Sequence, residues 1–250
     1  MNNELKFKDK VLAFNEYLSN VDVKLPDDFR FINPFRGEKK HNINIIVNLF
    51  YSKFYKDNKK RFMVIGSSPA RRGTAATGIP YEDAWHLEKI TGILIDDFHV
   101  NKSASNFLYD VIEKYGGCEK FYNDFYMCFA CPLGIVKVND KGNEINCNYY
   151  DNKKLQQSLY EFITHSIQKQ IEFGIDRTVC YCIGSGQNYT VLSKINEQYN
   201  FFDTIIPLEH PRYIMQYNSK DKEIYFERYL KAFNMIEKTN IEGNEDYERY

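Results

Sequence analysis

Four short apolar runs recur along this chain, at 62–65, 125–131, 178–183 and 202–208, and each ends in a loop opened by glycine, proline or a His-Pro step. Between them lie segments with apolar residues every three or four positions, the clearest being 152–173 with Leu155, Leu159, Phe162, Ile163 and Ile167. The same spacing predicts helices over 103–115, 188–197 and 225–236, and two more before the first run, over 4–18 and 43–56. Short apolar runs without alternation belong to strands buried on both faces, and strands that alternate with helices build a parallel sheet. The expected fold is therefore α/β: three α/β/α layers around a four-stranded, mostly parallel central sheet. Residues 1–240 are expected to form one domain, with the helices of 1–60 packed on it, 137–150 a polar loop, and 241–250 a charged tail. In such sheets ligands bind beyond the carboxyl ends of the strands. The loops to read are 66–81, 132–134, 184–188 and 209–217.

Charge narrows the class of partner. With 33 Lys+Arg against 34 Asp+Glu, the balance argues against holding nucleic acid by bulk basicity and leaves room for a local basic cleft. No apolar run approaches the ~20 residues that span a bilayer, and the first ten residues, MNNELKFKDK, lack the apolar centre of a signal peptide. The reading is a cytoplasmic chain without a membrane partner. The six cysteines fit that setting, since they are scattered and several fall inside apolar runs. Cys128 and Cys131 form a C-x-x-C, but no second close pair or suitably spaced histidine accompanies them, so buried strand thiols are expected rather than a metal site. Cys180 and Cys182, two apart, fall on one face of a strand.

The first loop, Gly66-Ser67-Ser68-Pro69-Ala70-Arg71-Arg72-Gly73-Thr74-Ala75-Ala76-Thr77-Gly78-Ile79-Pro80-Tyr81, is built of small residues that let backbone approach a ligand closely. A phosphate-cradling loop would carry Lys and then Ser or Thr after its last glycine, and no lysine occurs here, so nucleotide hydrolysis is set aside. Gly184-Ser185-Gly186 lacks the rest of a G-x-G-x-x-G and reads as a strand-to-helix turn.

These loops, taken in order, resemble the motifs of the uracil-DNA glycosylase superfamily, in particular its branch of single-strand-selective monofunctional enzymes. Gly66-Ser67-Ser68-Pro69 and Thr77-Gly78-Ile79-Pro80-Tyr81 are similar to the branch's Gly-x-Asn-Pro and Thr-Gly-Val-Pro-Phe. Cys131-Pro132-Leu133 is similar to the Cys-Pro-Leu after its second strand, and His210-Pro211-Arg212 to the His-Pro that opens the second motif. Asn33-Pro34-Phe35 resembles an early Asn-Pro segment, and Ile214-Met215-Gln216-Tyr217 matches a bacterial subgroup. The matches span roughly residues 30 to 235.

The resemblance implies base excision from DNA, without metal or cofactor and by a monomer: a nucleotide is flipped from the stack, its N-glycosidic bond is hydrolysed, and an abasic site remains. The departing base carries off the electrons of the broken bond, so a donor aimed at its developing oxyanion lowers the barrier, and His210 fills that position. The slot that holds a water-positioning Asn or Asp in the family is Ser68 here, and a hydroxyl orients water but accepts a proton poorly. Asp83 is the nearest carboxylate beyond Tyr81. Gly66, Pro69 and Ala70 would line the base, and Tyr81 would stack against it, worth about 1–3 kcal/mol. The slot of the amide that reads uracil is Phe129, which offers no hydrogen bonds and puts base identity in question. Arg212 follows His-Pro where the family wedges the DNA open. Arg71 and Arg72 would meet flanking phosphates, with Lys220 and Lys222 extending that surface.

Plainer roles exist for most of these residues. Ser68 before a proline suits a turn or helix cap, Tyr81 and Phe129 suit a core, Arg71 and Arg72 a solvated pair, and His41, His86, His99 and His165 ordinary structural positions. Two other functions follow from Ser68 and Phe129: a catalytically weak or silent DNA-binding relative, and a glycosylase for hypermodified phage bases in defence, whose pocket would be wider than uracil needs.

Overall fold

Strand burial explains the architecture. The computed structural model describes residues 5–71, 73–81, 84–92 and 102–236. Within them the chain runs α1 (Phe7–Ser19), β1 (Phe29–Ile32), α2 (Lys40–Phe54), β2 (Arg61–Gly66), α3 (Thr74–Thr77), α4 (Ala84–Thr91), α5 (Lys102–Tyr115), α6 (Gly117–Asp124), β3 (Phe125–Phe129), β4 (Gly134–Val138), β5 (Glu144–Cys147), α7 (Lys153–Ile171), β6 (Ile175–Ile183), α8 (Gln187–Tyr199), β7 (Thr204–Leu208), α9 (Pro211–Tyr217) and α10 (Lys222–Phe233). Every residue of β2 and β3 is buried. Successive strand residues point to opposite faces, so both faces of the sheet are covered. The order is β3-β2-β6-β7, all parallel. Helices α6, α7, α8 and α10 pack on these strands. The four predicted runs are its four strands.

The N-terminal helices join the same core through Arg61. Its guanidinium has no solvent exposure. It donates to the carbonyls of Tyr122 (2.8 Å), Lys59 (3.1 Å) and Phe54 (3.3 Å), pairs with Asp57 at 2.9 Å, and lies over the rings of Phe7 and Tyr55 at 4.9 and 4.8 Å. A buried cation needs this many partners to offset its desolvation.

The stretch expected as a polar loop at 137–150 instead contains the end of β4 and all of β5, joined by a turn. β1, β4 and β5 form a second, antiparallel sheet in the order β1-β4-β5. Periodicity hid it because Ile145, the one large apolar residue of β5, faces solvent at 51% exposure while Cys147 turns inward. The cysteines of the runs, Cys128, Cys131, Cys180 and Cys182, are buried free thiols. The tail 241–250, Arg72, Asp83 and His99 lie outside the described residues. Among the described residues no helix is long and apolar enough to cross a membrane.

Candidate active site

A cavity of about 630 Å³ opens where the parallel strands end. β2 runs out into Ser67 and Ser68, β6 into Gly184, and β7 into Glu209 and His210. Asn146 of β5, with Asn148 and Tyr150 in the turn that follows it, also lines the cavity. The ladder continues past the strands themselves: Ala130 N–H donates to Gly66 O and Cys131 N–H to Ser67 O, both at 2.9 Å, and Gly184 N–H to Leu208 O at 2.7 Å. The cavity floor is thus held by backbone hydrogen bonds.

Close approach dictates the first loop. A Cβ on Gly66 would sit 1.9 Å from the Tyr81 hydroxyl and 2.9 Å from the Phe129 ring, so only glycine fits. Gly78, at φ +73°, lets the chain turn under Phe35 and Ile43. Tyr81 itself adopts φ +61°, a conformation that costs a non-glycine residue about 1–2 kcal/mol. Its N–H donates to Thr74 Oγ1 at 2.9 Å, which helps to hold that geometry. The Tyr81 ring stacks on Phe129, centroids 5.0 Å apart and planes 28° from parallel. Its hydroxyl is buried without a hydrogen-bond partner, and burial raises its pKa well above that of an ordinary tyrosine.

The two serines have different partners. Ser67 Oγ donates to Asn148 Oδ1 at 2.9 Å. Ser68 Oγ is buried without a partner of hydrogen-bonding geometry, although its proximity works against the burial that pushes the Cys131 thiol up to about 12. An unmade hydrogen bond at a buried hydroxyl costs about 1–3 kcal/mol, unless a ligand or water supplies it.

His210 caps α9. Its Nδ1 accepts the Arg212 N–H at 3.1 Å, with Pro211 at the first helical position. Burial, and secondarily the Arg212 charge, lower its pKa to about 4. At neutral pH the ring is therefore uncharged, and because Nδ1 accepts, the single proton resides on Nε2. His210 offers the cavity a neutral N–H donor in a fixed tautomer. The segment before it is anchored by the Tyr229 hydroxyl, which donates to Glu209 O, and by the Arg228 to Glu209 ion pair at 3.0 Å.

The overall shape of the molecule and its sequence agree with known proteins. The family model of the Uracil DNA glycosylase superfamily matches residues 52–234. The chain belongs to this superfamily. Among solved structures, Pedobacter heparinus SMUG2 is 40% identical and superposes with a TM-score of 0.88, over 94% of this chain and 100% of that one. No curated protein matches.

For a uracil-DNA glycosylase superfamily member, the arrangement of the expected residues is specific. Ser68, Ala70, His210 and Arg212 line one cavity. Gly66, Tyr81 and Phe129 pack together at the β2 terminus and do not line that cavity, while Pro69 and Phe129 border a separate hollow of about 30 Å³. Arg71 is held by Glu144 at 3.1 Å, a carboxylate that also pairs with Arg30 and whose pKa these contacts lower. Arg212 is exposed at the rim beside Tyr213 and Tyr217, which are 50% and 70% exposed with rings 5.8 Å apart. Sequence reasoning missed the asparagines of β5 and the turn after it. The period-two spacing of Asn146 and Asn148 around buried Cys147 is the signal that places both on the cavity side. Of the other histidines, His86 is stacked on Tyr109 and His165 meets Tyr17 edge-on at 5.8 Å. His41 is exposed.

Proposed function

We propose that this DNA glycosylase is monofunctional and hydrolyses the N-glycosidic bond of an everted uracil, other deaminated base or modified base, leaving an abasic site. The observation that carries the reading is the neutral, Nε2-protonated His210 on the cavity that Ser68 also lines. As the bond between C1′ and the base nitrogen breaks, its electron pair passes to the base and positive charge gathers on the sugar. The His210 Nε2–H donates to the base carbonyl that takes up the negative charge, which stabilises the transition state more than the ground state. A water oriented by Ser68 Oγ adds to C1′, loses its proton to solvent, and completes the hydrolysis.

Arg212 lies where it could hold the opened strand. Arg71, already paired with Glu144, would first have to exchange that partner for a phosphate. The cavity volume and its wealth of carboxamides favour a second reading, a substrate base larger than uracil. Oligonucleotides bearing uracil, xanthine, hypoxanthine or glucosylated hydroxymethylcytosine, incubated with the protein and then treated with alkali, test both. Breakage at the uracil or deaminated purine supports the first, breakage only at the glucosylated base the second, and no breakage on any substrate refutes both.

A further inference from the structure

Phe129 occupies the slot of the family's base-reading amide, yet its ring lies on Tyr81 and outside the cavity, so recognition of the base edge must come from elsewhere. Five carboxamides line the cavity: Asn146, Asn148, Gln187, Asn188 and Gln216. Asn188 is fully used, its Oδ1 accepting from the Tyr149 hydroxyl and its Nδ2 donating to Ile183 O and Cys182 Sγ. Gln187 and Gln216 are exposed, as is Asn146, whose Oδ1 accepts the Arg71 N–H.

Asn148 is different in three respects. It is half-buried. Its backbone is fixed in a turn, with N–H donating to the Asp151 carboxylate at 2.8 Å and C=O accepting from Asp151 N–H at 3.1 Å, directly before the Asn152 cap of α7. Its Oδ1 accepts the Ser67 Oγ–H at 2.9 Å. The end left for a ligand is Nδ2, a donor.

We propose that Asn148 reads the base: its Nδ2–H donates to a carbonyl on the edge of the everted base, and Ser67 is the positioning residue that holds the amide in this sense. This rests on the glycosylase reading and adds a substrate rule to it. A base that presents an oxo group is accepted. A base that presents an amino group at the same place, such as cytosine, brings donor against donor and leaves both unpaired, the kind of mismatch that gives strong discrimination.

The test compares the wild type with Asn148→Ala, Asn148→Asp, Ser67→Ala and Ser67→Thr on uracil- and cytosine-containing single strands, following base release and, by fluorescence anisotropy, binding. Asn148→Ala should lower kcat/KM on uracil tenfold or more with the melting temperature little changed. Asn148→Asp, which presents an acceptor, should shift the uracil-to-cytosine ratio toward cytosine by at least tenfold. Ser67→Ala should erode the ratio and Ser67→Thr restore it, which a merely structural serine would not show. A ratio within twofold of wild type in Asn148→Asp overturns the proposal. If the wild type released neither uracil nor cytosine, the uracil reading would fall, and the binding ratio would still decide whether Asn148 selects the oxo base.

Discussion

Lowering the pH from 8 to 5 should leave base release nearly unchanged until well below the range in which a histidine ordinarily titrates. The structure sets the size of the effect. With a pKa of about 4 rather than 6.5, His210 is only about 3% protonated at pH 5.5, where an unperturbed imidazole would be about 90% protonated. The displacement is worth about 3 kcal/mol between the charge states. Its sign for stability follows from proton binding: the unfolded chain takes up the proton at pH 6.5 and the folded chain only near 4, so stability is full above 6.5 and is lost as pH falls toward 4. The profile of kcat/KM on a uracil-containing strand reports the free enzyme. It should be flat from pH 8 to about 5.5 as far as His210 is concerned, and two-bond ¹H–¹⁵N correlations should show its proton on Nε2. An acid limb near pH 6.5 that tracks His210, or a proton on Nδ1, would refute the account of this residue.

Other positions give independent checks. Gly66→Ala puts a methyl group into the Tyr81 hydroxyl and the Phe129 ring, so it should lower stability by about 1–3 kcal/mol and abolish base release, measured by urea unfolding and by the alkali assay. Tyr81→Phe removes a buried hydroxyl that has no partner, so stability should hold or rise by about 1 kcal/mol while stacking is kept, and a loss above that size would mean that the hydroxyl has a bond in solution. Arg61→Ala removes a fully buried side chain and leaves the carbonyls of Tyr122 and Phe54 unpaired in the core, and should cost about 3–5 kcal/mol in chemical denaturation.

The sheet was legible because its strands are buried on both faces and therefore carry unbroken apolar runs, and the site was legible where motif residues sit at the ends of those runs, as Ser68 and His210 do. What periodicity could not show was the small sheet, since Ile145 points outward and polar Asn146 lines the cavity. α9 was equally hidden: its only fully buried apolar side chain besides Pro211 is Ile214, and its polar cap is a histidine. Tyr81 and Phe129 could be placed in the chain from sequence, but their stacking on one another, rather than into the cavity, depends on the positive φ at Tyr81 and the missing side chain of Gly66, which only tertiary packing reveals.

The central claim is that the hollow beyond the parallel strands receives an everted nucleobase between Ser68 and His210. A crystal structure with single-stranded DNA carrying the uncleavable 2′-fluoro-2′-deoxyuridine tests it most directly. The account predicts the base swung out of the strand, a carbonyl within hydrogen-bonding reach of His210 Nε2, and a water beside Ser68 Oγ. DNA bound on another face, or the base left stacked in its strand with the hollow vacant, would contradict it.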